Sequence, residues 1–174
     1  MLKKIALSLM ILLMVCVVFA EEVKETGTRQ YMGFHVSDLC ATGLAYRNVG
    51  TPLGYSMIIG GTANGKSGSE YEAYFNTGFM GTYKLKDFER TSFFFFAGSS
   101  YHYKEDREEI DGMHLDSNDY KVNVDEKMYY GMGLGLDFVL NDWGLFSIHW
   151  PLTFRNDGYI SMYVPMASFL IRFK

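Results

Sequence analysis

The 174-residue chain has little cysteine, little proline and only one long apolar run. Of its two cysteines, Cys16 lies inside that run near the start and Cys40 lies beyond it. Once the leading stretch is removed, no intramolecular disulfide can form, so an exported chain must be held by burial or by a membrane. After residue 20 no apolar stretch reaches the roughly 20 residues that a membrane helix needs. Any crossing of a bilayer would then require a closed barrel, because lipid cannot satisfy open backbone groups. Positive charge is also in deficit. The formal net charge is −4, and loss of Lys3 and Lys4 takes it to −6. That balance argues against nucleic acid as a partner. No repeat of motif grade breaks the chain, and the size fits one domain.

What is present begins with an address. Lys3 and Lys4 precede the apolar run Ile5 to Phe19, Val18-Phe19-Ala20 offers a cleavage site, and Glu21-Glu22 follows. Residues 1–20 read as a cleaved secretory signal peptide, 21–29 as a short N-terminal extension, and 30–174 as the folded domain. A permanent anchor is the rival, but about fifteen residues fall short of a span. Leu13-Met14-Val15-Cys16 loosely resembles a lipobox, with Val15 where a smaller residue is expected.

Residues 128 to 155 carry the strongest pattern, a strict period of two. Met128, Tyr130, Met132, Leu134, Leu136, Phe138 and Leu140 share one parity, and Gly131, Gly133, Gly135 and Asp137 hold the other. After Asn141-Asp142 the alternation resumes, with Phe146, Ile148, Trp150, Leu152 and Phe154 against Ser147, His149, Thr153 and Arg155. Side chains of a strand alternate between faces. One greasy face and one face of glycine, hydroxyl and charge suggest a barrel strand, apolar toward lipid and polar toward the lumen.

The same reading along the chain predicts eight strands: 31–37, 41–48, 53–61, 71–85, 92–104, 128–140, 144–154 and 159–173. Met32, Phe34, Val36, Leu44, Leu53, Met57, Ile59, Phe75 and Phe79 are expected outward. A tight turn is expected at Ser37-Asp38. Short connections alternate with longer ones at 62–70 and 105–127, as transmembrane barrels alternate periplasmic turns with outer loops. Tyrosines and tryptophans near strand ends fit aromatic girdles. Pro151 and Pro165 fall inside predicted strands, where each loses a ladder hydrogen bond, and so mark bulges or rim positions.

The end of the chain, Ser168-Phe169-Leu170-Ile171-Arg172-Phe173-Lys174, resembles the C-terminal signal of Gram-negative outer-membrane barrels, with Phe169, Ile171 and Phe173 in parity and the aromatic next to last. Strand number and loop alternation make the whole domain similar to the small OmpA/OmpX-type eight-stranded barrels. The resemblance implies an all-β, antiparallel, up-and-down transmembrane barrel in the cell outer membrane. It further implies contact with the bilayer, insertion by the barrel machinery through the C-terminal strand, and an extracellular partner for loops 62–70 and 105–127.

An eight-stranded barrel is just wide enough to be filled by side chains, so an open pore is not expected. The inward parity collects Arg47, Glu72, Asn76, His102, Lys104, Asp137, His149, Arg155 and Arg172, whose opposite charges should pair. Gly131, Gly133 and Gly135 are expected to make room for large neighbours such as Tyr74 or Arg47. Ser147 and His149, with Glu72 or Asp137, offer the elements of an activated nucleophile. Outer-membrane lipid A deacylases carry His-x-Ser, whereas this chain has Ser-Ile-His, so no catalytic residue is assigned. Nine carboxylates between Glu105 and Glu126 lack the spacing of an EF-hand loop, and His102 and His114 lack zinc spacing. No cofactor or metal is assigned. The expected role is structural or adhesive and non-enzymatic. The alternative is a soluble periplasmic or secreted lipocalin-like barrel holding a small apolar ligand. A less favoured one is a lipid A-modifying enzyme.

Overall fold

The computed structural model describes residues 28–37, 39–65, 71–109, 120–162 and 165–173. The predicted signal peptide, most of the predicted extension, Asp38 of the predicted turn, segments 66–70 and 110–119 with His114, residues 163–164 and Lys174 lie outside the described residues. The strands are β1 (Arg29–Val36), β2 (Gly43–Val49), β3 (Leu53–Gly65), β4 (Tyr71–Asp87), β5 (Thr91–Glu109), β6 (Tyr120–Leu140), β7 (Gly144–Arg155), β8 (Ile160–Ser161) and β9 (Met166–Arg172). β1 to β7 each pair antiparallel with the next strand in sequence, and β9 pairs not with β8 but with β7 and β1. The result is a closed, all-β, eight-stranded up-and-down barrel, with β8 and β9 sharing the eighth place. Among the described residues no helix is long and apolar enough to cross a membrane, which says nothing of strands.

The period-two pattern sorts side chains as expected. Phe34, Leu53, Met57 and Ile59 are 65, 68, 54 and 55% exposed on the outside, while Arg47 and Asp137 are 2 and 3% exposed on the inside. The alternation places the interior polar groups and exterior apolar groups together, because strand parity cannot change one without the other.

Three expectations need correction. The predicted loops 62–70 and 105–127 are partly strand: β3 runs to Gly65, and β5 and β6 stay paired out to Glu109 and Tyr120. Valine and tyrosine in 120–130 carry strand propensity that outweighs the charge density. The eighth strand is not continuous from 159 to 173. It breaks between Ser161 and Met166, where Pro165 has no N–H for a ladder, and the pairing with β7 shifts by one residue across the break. The β1–β2 connection is no tight turn, since residues 37–42 all lie between the strands and Ala41 and Thr42 are not part of β2. The β6–β7 connection, by contrast, falls where the strand bounds predict it, at Asn141 to Trp143, with Asn141 at φ 58°.

The barrel is uneven. β1, β2 and β9 have 8, 7 and 7 residues, while β4, β5 and β6 have 17, 19 and 21. On the tall side the sheet therefore runs past the closed ring as a projecting wall. Both ends of the described chain lie at the opposite end, with the tight connections.

Candidate functional site

The lumen is built around one ion pair. Arg47 on β2 reaches across to Asp137 on β6 with two parallel hydrogen bonds, Nη1 to Oδ1 at 3.0 Å and Nη2 to Oδ2 at 2.9 Å. Such a fork-to-carboxylate contact is the strong form of an ion pair. Ser147 joins it: its hydroxyl donates to Asp137 Oδ1 at 2.6 Å and accepts from Arg47 Nη1 at 2.9 Å. Phe94 stacks on the guanidinium, with Cζ 4.9 Å from the ring centre.

His149 does not complete a Ser–His pair. Both its ring nitrogens are buried without a hydrogen-bond partner, and the ring packs 5.3 Å from Phe94 and from Phe96, and 5.5 Å from His35. Ser147 is committed to Asp137, so the elements of an activated nucleophile stand near one another but are not connected. Among the described residues no three His, Cys, Asp or Glu side chains stand together as metal ligands.

The glycines of β6 make room, though for other neighbours than Tyr74 or Arg47. A Cβ on Gly133 would stand 2.9 Å from Phe96 Cζ, one on Gly131 3.0 Å from the Leu39 methyls, and one on Gly135 would meet the Phe94 ring. The two inward phenylalanines of β5 thus fill the space opposite the glycine stripe, and Leu39 fills the top.

Leu39 belongs to a plug. The β1–β2 connection folds back into the mouth of the barrel, and Leu39, Cys40 and Ala41 are fully buried there. The Ser37 hydroxyl accepts from Cys40 N at 2.9 Å, Ser37 N donates to the Thr42 hydroxyl at 2.9 Å, and Thr42 N donates to Asn76 Oδ1 at 3.0 Å. Ala41 sits at φ 72° to make the inward bend. At the other end a recess of about 240 Å³ opens between Arg29, Lys84, Asp87, Glu89 and Ser92, with Asp137 at its floor.

Of the nine predicted lumen residues, Arg47, Asn76, Asp137 and His149 are enclosed. Glu72 and Lys104 instead form a half-exposed ion pair at 3.0 Å on the projecting wall, and His102 bonds Tyr74 there at 2.6 Å. Arg155 lies at the loop-end rim, paired with Asp157, and Arg172 at the opposite rim. That contact, with the Tyr159 backbone N–H, holds the exposed Asp157 carboxyl down at about 2. Hydroxyls of Tyr103 and Tyr71 likewise hold Glu105 below its ordinary value.

The wall has two open edges, which sequence reading missed. β2 pairs with β3 only up to Ile59, and β7 pairs with β6 only from Tyr129. Among the described residues, Gly60–Gly65 of β3 and Tyr120–Lys127 of β6 therefore have a strand on one side only. Val122 and Val124 on the latter are 45 and 52% exposed.

No family model, curated protein or solved structure matches this chain.

Proposed function

We propose that the chain is a small outer-membrane β-barrel protein of the OmpA/OmpX type, exported by residues 1–20, with a structural or adhesive role. The observation that carries this reading is the direction of the apolar face. Large side chains such as Phe34, Val36, Leu53, Met57, Phe79 and Trp150 cover the outside, whereas charge is buried within. An exposed belt of that kind suits lipid, and a soluble lipocalin-like barrel would reverse it. The outward Phe169 and Ile171 of β9, the strand that closes the ring, suit recognition by the insertion machinery. The plug and the Arg47–Asp137 pair leave the lumen to structure rather than transport. The projecting wall is then the part that meets a partner outside.

Gel mobility of the detergent-extracted protein, with and without heating, tests this. A heat-dependent shift in protein from the outer-membrane fraction is expected. Release with the soluble periplasm and no shift would instead make a ligand-carrying soluble barrel the working model.

A further inference from the structure

Beyond the end of β7, the free edge of β6 reads Tyr120-Lys121-Val122-Asn123-Val124-Asp125-Glu126-Lys127. The Met128 carbonyl accepts from Asn156 N at 3.0 Å, on the β7 side. Groups alternate along an antiparallel strand, so Val122, Val124 and Glu126 also aim their N–H and C=O groups toward that side, where no described strand receives them. An open edge is a template for another strand, and proteins usually blunt it.

This edge is self-complementary. With Asn123 opposite Asn123 of a second, antiparallel copy, Lys121 faces Asp125, Val122 faces Val124, and both relations repeat by symmetry. The valines then form the hydrogen-bonded pairs, and the Lys–Asp contacts fall in the non-hydrogen-bonded positions, where side chains approach most closely. A slip of two residues one way sets Lys121 against Lys127, and the other way sets it against uncharged Asn123. A slip of one residue opposes groups that point to the free edge with groups that point to β5. Asp125 already holds Lys127 of its own chain, so a cation of the second copy adds to an existing charge row.

We propose that β6 pairs through this register with β6 of a second copy seated in a facing bilayer, making the protein a homotypic bridge between membranes. The proposal rests on the membrane-barrel reading above. Orientation follows from strand direction. β6 runs from the projecting end into the barrel, so an antiparallel copy carries its own barrel away from the joint, at the far end. Two copies in one bilayer would run their β6 strands in parallel. About nine residues beyond the ring give each copy roughly 30 Å of reach along the strand.

The test uses the full barrel refolded into phosphatidylcholine vesicles, with aggregation followed by turbidity. Wild-type vesicles should aggregate. Lys121→Glu vesicles and Asp125→Lys vesicles should each aggregate about tenfold more slowly, because two like-charge contacts replace two opposite ones. Mixing the two variant populations should restore the wild-type rate, since each introduced charge then meets its opposite across the joint. Variants that aggregate like wild type, or a mixture as slow as its components, would overturn the pairing. Wild-type vesicles that stay dispersed would also overturn the bridge, as expected if the edge instead met the Gly60–Gly65 edge of a neighbour in the same bilayer. Heat-dependent mobility checks insertion of each preparation: its loss in the wild-type protein would overturn the membrane reading itself, and the bridge with it.

Discussion

Arg47 is the residue on which the interior turns. Alone in the lumen its charge would be very costly, and every polar contact near it answers that cost: Asp137 by charge, Ser147 by a hydrogen bond, Phe94 by its ring. Removing the carboxylate should therefore hurt more than the pair itself is worth. Asp137→Ala is expected to lower unfolding free energy by about 3–5 kcal/mol, whereas Arg47→Met with Asp137→Leu should recover most of that loss. Urea midpoints in micelles measure both. A single substitution within about 0.5 kcal/mol of wild type would place the ion pair among exposed, weak ones and contradict this account. That Arg47 and Asp137 both point inward could be read from parity. That they meet each other could not, because the partners lie 90 residues apart and their meeting depends on how the whole ring closes.

At the scale of elements, the sequence was most legible where alternation is strict. β6 and β7 follow the predicted parity residue for residue, and their glycine stripe was expected to face something large. Which side chains fill it was not legible, since Phe94 and Phe96 come from β5 and Leu39 from a connection. The plug was missed for a related reason. Leu39-Cys40-Ala41 has the composition of a strand start, and only the inward bend at Ala41, with Asn76 as its anchor, marks it as a folded-back loop. Strand ends also moved. The acidic run after Lys104 suggests solvated loop, yet the β4–β5 and β5–β6 ladders run on past it, and Glu105 accepts from Tyr71 on β4 and from Tyr103 on its own strand. The plug makes a plain prediction about its thiol. Cys40, packed against Gly78 and Gly98, should resist a water-soluble maleimide for as long as the barrel stays folded and react at once in denaturant. Mass spectrometry of the adduct reads this directly. Prompt labelling of the folded protein would mean that residues 37–42 lie outside the mouth.

The whole molecule is asymmetric in two respects. Around the ring, short strands on the β9-β1-β2 side face a wall of long strands from β3 to β6. Across the wall of the barrel, apolar side chains lie outside and charged ones inside. The first asymmetry gives a body and a projection, and the second decides what solvent the body suits. Together they account for why the Arg47–Asp137 pair, the plug and the open edges belong to one design: a filled barrel supports a sheet that reaches beyond it. The two tryptophans make the solvent question measurable. Trp150 lies on the outer face midway along β7, and Trp143 lies in the turn that begins it. Both are about half exposed, so each reports on what surrounds the barrel rather than on its core. Single-tryptophan variants, Trp143→Phe and Trp150→Phe, reconstituted with lipids brominated at different depths, test the central claim most directly. The account predicts that Trp150 is quenched most by bromines deep in the acyl chains and Trp143 by those near the headgroups. Quenching of neither, in protein that is folded and vesicle-associated, would contradict a lipid-facing apolar belt.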